Sequence, residues 1–83
     1  MGKHERTLAA IFAHPTRGNL RWADIESLLK ACGASIQEGR GSRVQIRLCG
    51  VRATFHRPHP RPETGKDTVD SVREFLKRAG IGP

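Results

Sequence analysis

Residues 43–56 constrain the fold of this chain more than any other stretch. Val44, Ile46 and Leu48 alternate with Arg43, Gln45 and Arg47, and after Cys49-Gly50 the alternation resumes, Val51, Ala53 and Phe55 against Arg52, Thr54 and His56. A period of two is that of an antiparallel strand with one face buried and one face wet. Cys49-Gly50 reads as a two-residue hairpin turn, the glycine supplying positive φ. In that register Leu48 faces Val51, Arg47 faces Arg52 and Arg43 faces His56. The apolar face of such a hairpin must be covered, and the rest of the chain has to supply the cover.

Two helices are predicted to do so. From Trp22 to Cys32, the residues Trp22, Ile25, Leu28, Leu29 and Cys32 fall on one face at spacings of three and four. Asp24 and Glu26 lie in the first turns, where the helix dipole favours negative charge, and Gly33 is the stop. Cys32 reads as a small buried apolar residue. From Thr68 to Ala79, the apolar face is Val69, Val72, Phe75, Leu76 and Ala79, with Asp67 or Thr68 as N-cap. Gly80 ends this helix and Ile81 folds back as a hydrophobic cap contact. A shorter helix is predicted over Glu5 to Ala13, with Leu8, Ile11 and Phe12 on one side, ended by His14-Pro15. It reads first as a capping turn over the core edge and second as a partner surface. Thr16 to Asn19 is a connector, Ala34 to Glu38 a short strand and Gly39-Arg40-Gly41-Ser42 a turn. Arg57 to Pro62 holds three prolines and excludes helix or inner strand. The expected fold class is α+β in the order α-α-β-β-β-α: a three-stranded antiparallel sheet with helices on one face and the other face open. With 83 residues, the chain is read as a single domain, 1–83.

Charge narrows the company this domain keeps. Lys and Arg number 15 against 8 Asp and Glu, a net charge of +7. Such an excess points to nucleic acid, an acidic protein or an anionic membrane surface. The longest apolar run, Leu8 to Ala13, is too short to span a bilayer or to be a signal peptide. Arg6 stands where a myristoylation signal takes Ser or Thr. No membrane role is expected, and a cytoplasmic location is. Cys32 and Cys49 are expected to be unpaired, and no CxxC spacing exists.

The positive charge is concentrated. Between Gly39 and Pro62 there are six arginines, Arg40, Arg43, Arg47, Arg52, Arg57 and Arg61, and no acid. Five of the eight acids lie instead in the second and last predicted helices or at their caps. Arg47 opposite Arg52 is a like-charge pair, unfavourable unless an anion bridges it or both side chains splay into water. Six arginines without an acid favour the anion, and the arginine fork suits phosphate. The candidate phosphate- or RNA-binding residues are Arg40, Gly41, Ser42, Arg43, Arg47, Arg52, Arg57 and Lys66. Three Phe, one Trp and no Tyr, all needed for the core, leave little for base stacking, so contact through RNA backbone and shape fits better.

His56 and His59 are the candidate proton-transfer groups. No Asp, Glu or Cys lies in this stretch to complete a metal shell, so neither a metal site nor another cofactor is expected. Histidine titrates near neutral pH and can serve a 2′-hydroxyl or a leaving oxygen, while neighbouring arginines stabilise charge on the phosphorane. Residue types alone leave this reading of His59 level with another, in which Pro58 and Pro60 make a rigid crossover and the imidazole bonds the backbone.

In order along the chain, Ile25-Glu26-Ser27-Leu28-Leu29 ahead of Gly33, then Gly39-Arg40-Gly41-Ser42-Arg43, then Pro58-His59-Pro60, then Thr68-Val69 through Ala79-Gly80-Ile81 resemble the HicA toxin family. Each motif is short, and it is the ordered set that is specific. It covers about Trp22 to Ile81 and leaves the helix about Glu5 to Ala13 as an addition. The resemblance implies a double-stranded-RNA-binding-domain-like fold, ribosome-independent cleavage of mRNA, and neutralisation by a HicB-like antitoxin protein. It also implies a catalytic histidine directly after the Gly-Ser, where this chain has Arg43. Arginine stays protonated and cannot act as a base. Two expectations follow. One is a metal-independent endoribonuclease in which His56, with His59 as second choice, takes over proton transfer opposite Arg43. The other is a noncatalytic RNA-binding module of the same fold.

Overall fold

The computed structural model describes residues 2–58 and 62–83. Three helices, α1 (Lys3–Ile11), α2 (Trp22–Ala31) and α3 (Lys66–Arg78), accompany five strands: β1 (Leu20–Arg21), β2 (Ser35–Glu38), β3 (Arg43–Leu48), β4 (Val51–His56) and β5 (Glu63–Thr64). The α+β class and the α-α-β-β-β-α order of the larger elements are as expected. β2, β3 and β4 form one antiparallel sheet in that order.

The hairpin follows its sequence pattern residue by residue. Leu48 pairs with Val51, Arg47 with Arg52 and Arg43 with His56. Cys49 and Gly50 have φ of 51° and 79°, the two positive values a type I′ turn requires. Val44, Ile46 and Leu48 are buried, while Arg43, Gln45 and Arg47 are exposed. The buried side chains join Ile25, Leu28 and Leu29 of α2 and Val69, Val72, Phe75 and Leu76 of α3 in one core. Phe55 lies between the helices, its ring centroid 5.9 Å from Trp22 and 5.8 Å from Phe75.

Both long helices end alike. The Ala34 N–H reaches the Leu29 carbonyl at 2.9 Å and the Ile81 N–H the Leu76 carbonyl at 2.8 Å, with Gly33 and Gly80 in the left-handed region between. These are Schellman closures, and Ile81 packs on the core as expected.

Several boundaries differ from expectation. α1 runs Lys3–Ile11 rather than Glu5 to Ala13, the Gly2 N–H donating to Glu5 Oε1 at 2.9 Å. α2 stops at Ala31 with Cys32 as its C-cap, and Ala34 is spent on the Schellman bond instead of the strand. α3 begins earlier: its N-cap is extended Gly65, whose carbonyl accepts from Val69 at 3.0 Å, and Asp67 lies inside the first turn rather than capping it. Thr16 to Asn19 is a connector, but the chain beyond it forms a two-residue antiparallel ribbon, Leu20 with Thr64 and Arg21 with Glu63. The Trp22 N–H extends that ribbon to the Pro62 carbonyl at 3.1 Å.

α1 contacts both α2 and α3 and is part of the core. Ile11 is fully buried. Buried Arg73 of α3 donates from Nε to the Ile11 carbonyl at 2.9 Å and from Nη2 to Thr16 Oγ1 at 2.9 Å. Thr16 Oγ1 in turn donates to Asp70 Oδ1 at 2.7 Å. A cation at the C-terminal end of α1 meets the negative end of its dipole.

Candidate nucleic-acid interface

With both long helices on one side of the sheet, its other side is uncovered. Strand register arranges that side in rows. Ser35, Arg47 and Arg52 lie side by side, then Gln37, Gln45 and Thr54, then Gly39, Arg43 and His56. All are exposed, and no carboxylate is among them. The Arg57 N–H donates to the Ser42 carbonyl at 2.8 Å. The next pair inward, Arg43 and His56, is therefore non-hydrogen-bonded, the kind of pair that holds side chains closest together.

The turn before Arg43 keeps this end open. The Gly39 N–H donates to the Arg43 carbonyl at 2.9 Å, and the Arg43 N–H to the Arg40 carbonyl at 3.2 Å. A Cβ on Gly39 would stand 3.3 Å from the Arg43 Cβ, so glycine leaves the Arg43 side chain unobstructed on the β2 side. Arg40, Gly41 and Ser42 form the exposed turn. Arg40, Arg43, Arg47 and Arg52 make no ion pair among the described residues. The register thus gathers Arg43, Arg47, Arg52 and His56 on one face with Arg40, Gly41 and Ser42 at its rim. His59 lies outside the described residues.

Two sequence candidates lie elsewhere. Lys66 opens α3 with its stem against Gly18, and the strand register does not bring it to the sheet. Arg57 shares the parity of Val51, Ala53 and Phe55 and turns toward the helix side. There its Nε donates to Glu26 Oε2 at 2.9 Å, and its two terminal nitrogens bond the Glu38 carboxylate. Trp22 Nε1 also donates to Glu26 Oε2, at 2.7 Å. The Arg57 guanidinium holds the Glu38 carboxyl below the usual carboxylate range, and Glu38 and Glu26 raise the Arg57 pKa further. Composition alone hid this, because Glu26 and Glu38 are far from Arg57 in sequence. Parity carried the signal: continuing the alternation one residue past His56 already turns Arg57 inward.

Among the described residues no group of three or more His, Cys, Asp or Glu is placed to hold a metal ion. No helix among them is long and apolar enough to cross a membrane. Cys32, half-buried, and Cys49, exposed, are free thiols, and burial pushes the Cys32 pKa up.

A helix-backed antiparallel sheet with a cationic, acid-free outer face defines a small basic α+β domain. Over residues 22–81 the chain matches the family model described as the HicA toxin of bacterial toxin–antitoxin, and it belongs to that family. It is thus a toxin of a toxin–antitoxin pair. No curated protein and no solved structure gives a significant match. The matched span begins at Trp22, so α1 lies outside it although Ile11 lies in the core.

Proposed function

We propose that this toxin is an endoribonuclease that cleaves mRNA without a metal and is silenced by a HicB-like antitoxin covering the cationic sheet face. The observation that supports it best is the pairing of Arg43 with His56 on an exposed, acid-free face. His56 takes the proton of a ribose 2′-hydroxyl, the freed oxygen attacks the adjacent phosphorus, and the 5′-oxygen leaves with a proton from His59 or water. A cyclic phosphate and a 5′-hydroxyl remain. Arg43, Arg40 and Ser42 hold the phosphate and stabilise the phosphorane, as fixed donors do where charge develops. Arg47 and Arg52 hold the strand further along.

One feature favours a second reading. Arg43 occupies the place of the family's catalytic histidine, and an arginine there binds phosphate without moving protons. In that case the chain is a noncatalytic RNA-binding module.

Cleavage of a long mRNA by purified protein in EDTA separates the two, with Arg43→His and His56→Ala run alongside. Cleavage by the parent that is lost in His56→Ala supports the relocated histidine. A silent parent with activity gained in Arg43→His supports the binding module. Undiminished cleavage by His56→Ala removes His56 from the mechanism.

A further inference from the structure

Between the two charged rows of the open face lies a neutral one. Gln37, Gln45 and Thr54 are in register across β2, β3 and β4, with Arg47 and Arg52 on one side and Arg43 and His56 on the other. Each row is two residues from the next, about 7 Å along the strands. The three side chains are exposed, and none is hydrogen-bonded to another described residue. Each carries both a donor and an acceptor: two carboxamides and a hydroxyl.

A polyanion held by the outer rows must pass over this middle row. What it presents between its phosphates is sugar. In RNA that sugar carries a 2′-hydroxyl, itself a donor and an acceptor, and DNA has nothing to offer in its place. A carboxylate in the middle row would repel the flanking phosphates, and a further cation would grip RNA and DNA alike. Neutral groups that both give and accept hydrogen bonds match a hydroxyl and are indifferent to charge.

We infer that Gln37, Gln45 and Thr54 form a ribose reader, which bonds 2′-hydroxyls of the strand whose phosphates lie on the arginine rows and so makes this face prefer RNA to DNA. The inference rests on the reading that RNA occupies this face, and it adds which side chains distinguish RNA from DNA.

The test is equilibrium binding of the full chain to an RNA oligonucleotide and to DNA of the same sequence, with RNA integrity checked by gel. Each measurement is made for the parent and for a Gln37→Ala, Gln45→Ala, Thr54→Val variant. Thr54→Val keeps the β-branched shape, and thermal melting verifies that the variant is folded. The parent is expected to bind RNA more tightly than DNA. The variant should lose RNA affinity by about fivefold for each 2′-hydroxyl contact removed, the worth of one net hydrogen bond, with DNA affinity unchanged. If RNA and DNA lose affinity equally, or if neither changes, the ribose reader is overturned while RNA binding on this face stands. If the parent binds neither polymer even at low salt, the RNA reading itself fails. Single variants Gln45→Ala and Thr54→Val keep the question open to test should the triple variant not fold.

Discussion

Arg57 and Glu26 are joined by two guanidinium nitrogens, Nε and Nη2, each 2.9 Å from Glu26 Oε2. An arginine from the most basic stretch of the chain is thereby withdrawn from the open face and ties the end of β4 to α2, while Glu38 brings in the end of β2. Arg57→Ala is expected to destabilise the fold by about 1–2 kcal/mol, the range for hydrogen bonds to charged groups discounted for partial exposure. The salt dependence of RNA binding should stay the same. Denaturant unfolding and a salt titration of affinity check the two halves.

The same cluster gives a pH dependence with a definite sign. Glu38 has a folded pKa below its ordinary value, so its contribution is complete above the ordinary carboxylate range and is lost as pH falls through the lowered value. The stability difference between the parent and Glu38→Gln should be present at neutral pH and close in acid, below the ordinary 4.5. Unfolding curves of both proteins across that range measure it.

Arg47 and Arg52 are like charges placed directly opposite one another. Arg52→Thr should therefore raise stability slightly, by about 0.2–1 kcal/mol, the range of cross-strand pair effects. RNA affinity should fall, and the salt slope should shrink by about 0.7–0.9, as for one lost phosphate contact. A melt and a salt titration on the same preparation show whether stability and binding move in opposite directions.

Ile11 lies outside the family-matched span yet is fully buried. Ile11→Ala is expected to cost about 2–5 kcal/mol, as for a filled core site. Arg73→Met, which releases the carbonyl of Ile11 and the hydroxyl of Thr16, should cost about 1.5–3 kcal/mol. Chemical denaturation of the two variants measures how firmly α1 is held.

Much of the site was legible because its information is local. The alternation of Arg43 to Leu48, the Cys49-Gly50 turn and the alternation of Val51 to His56 set which side chains share a face and which oppose each other. The pairing of Arg43 with His56 follows from counting outward from the turn. Other features depended on partners far along the chain. Leu20 and Thr64 meet although α2 and the whole sheet lie between them in the chain. Two residues carry too little periodicity to announce such a ribbon. Arg73 lies off the apolar face of Val69, Val72, Phe75, Leu76 and Ala79 that the spacing marks on α3, and its burial depends on where α1 docks. Lys66 and Arg57 counted toward the basic total, but the packing of α3 and the position of Glu26 placed them away from the open face.

By itself, then, the sequence determined the α+β class, the hairpin register and the acid-free composition of the outer face, because strand periodicity and turn chemistry act over a few residues. Only the tertiary structure decided which of the arginines remain free on that face, that α1 is core rather than appendage, and that Gln37 of β2 joins Gln45 and Thr54 between the charged rows. Those outcomes depend on long-range burial and on carboxylates brought from other elements, where desolvation and pairing, rather than local propensity, select the partner.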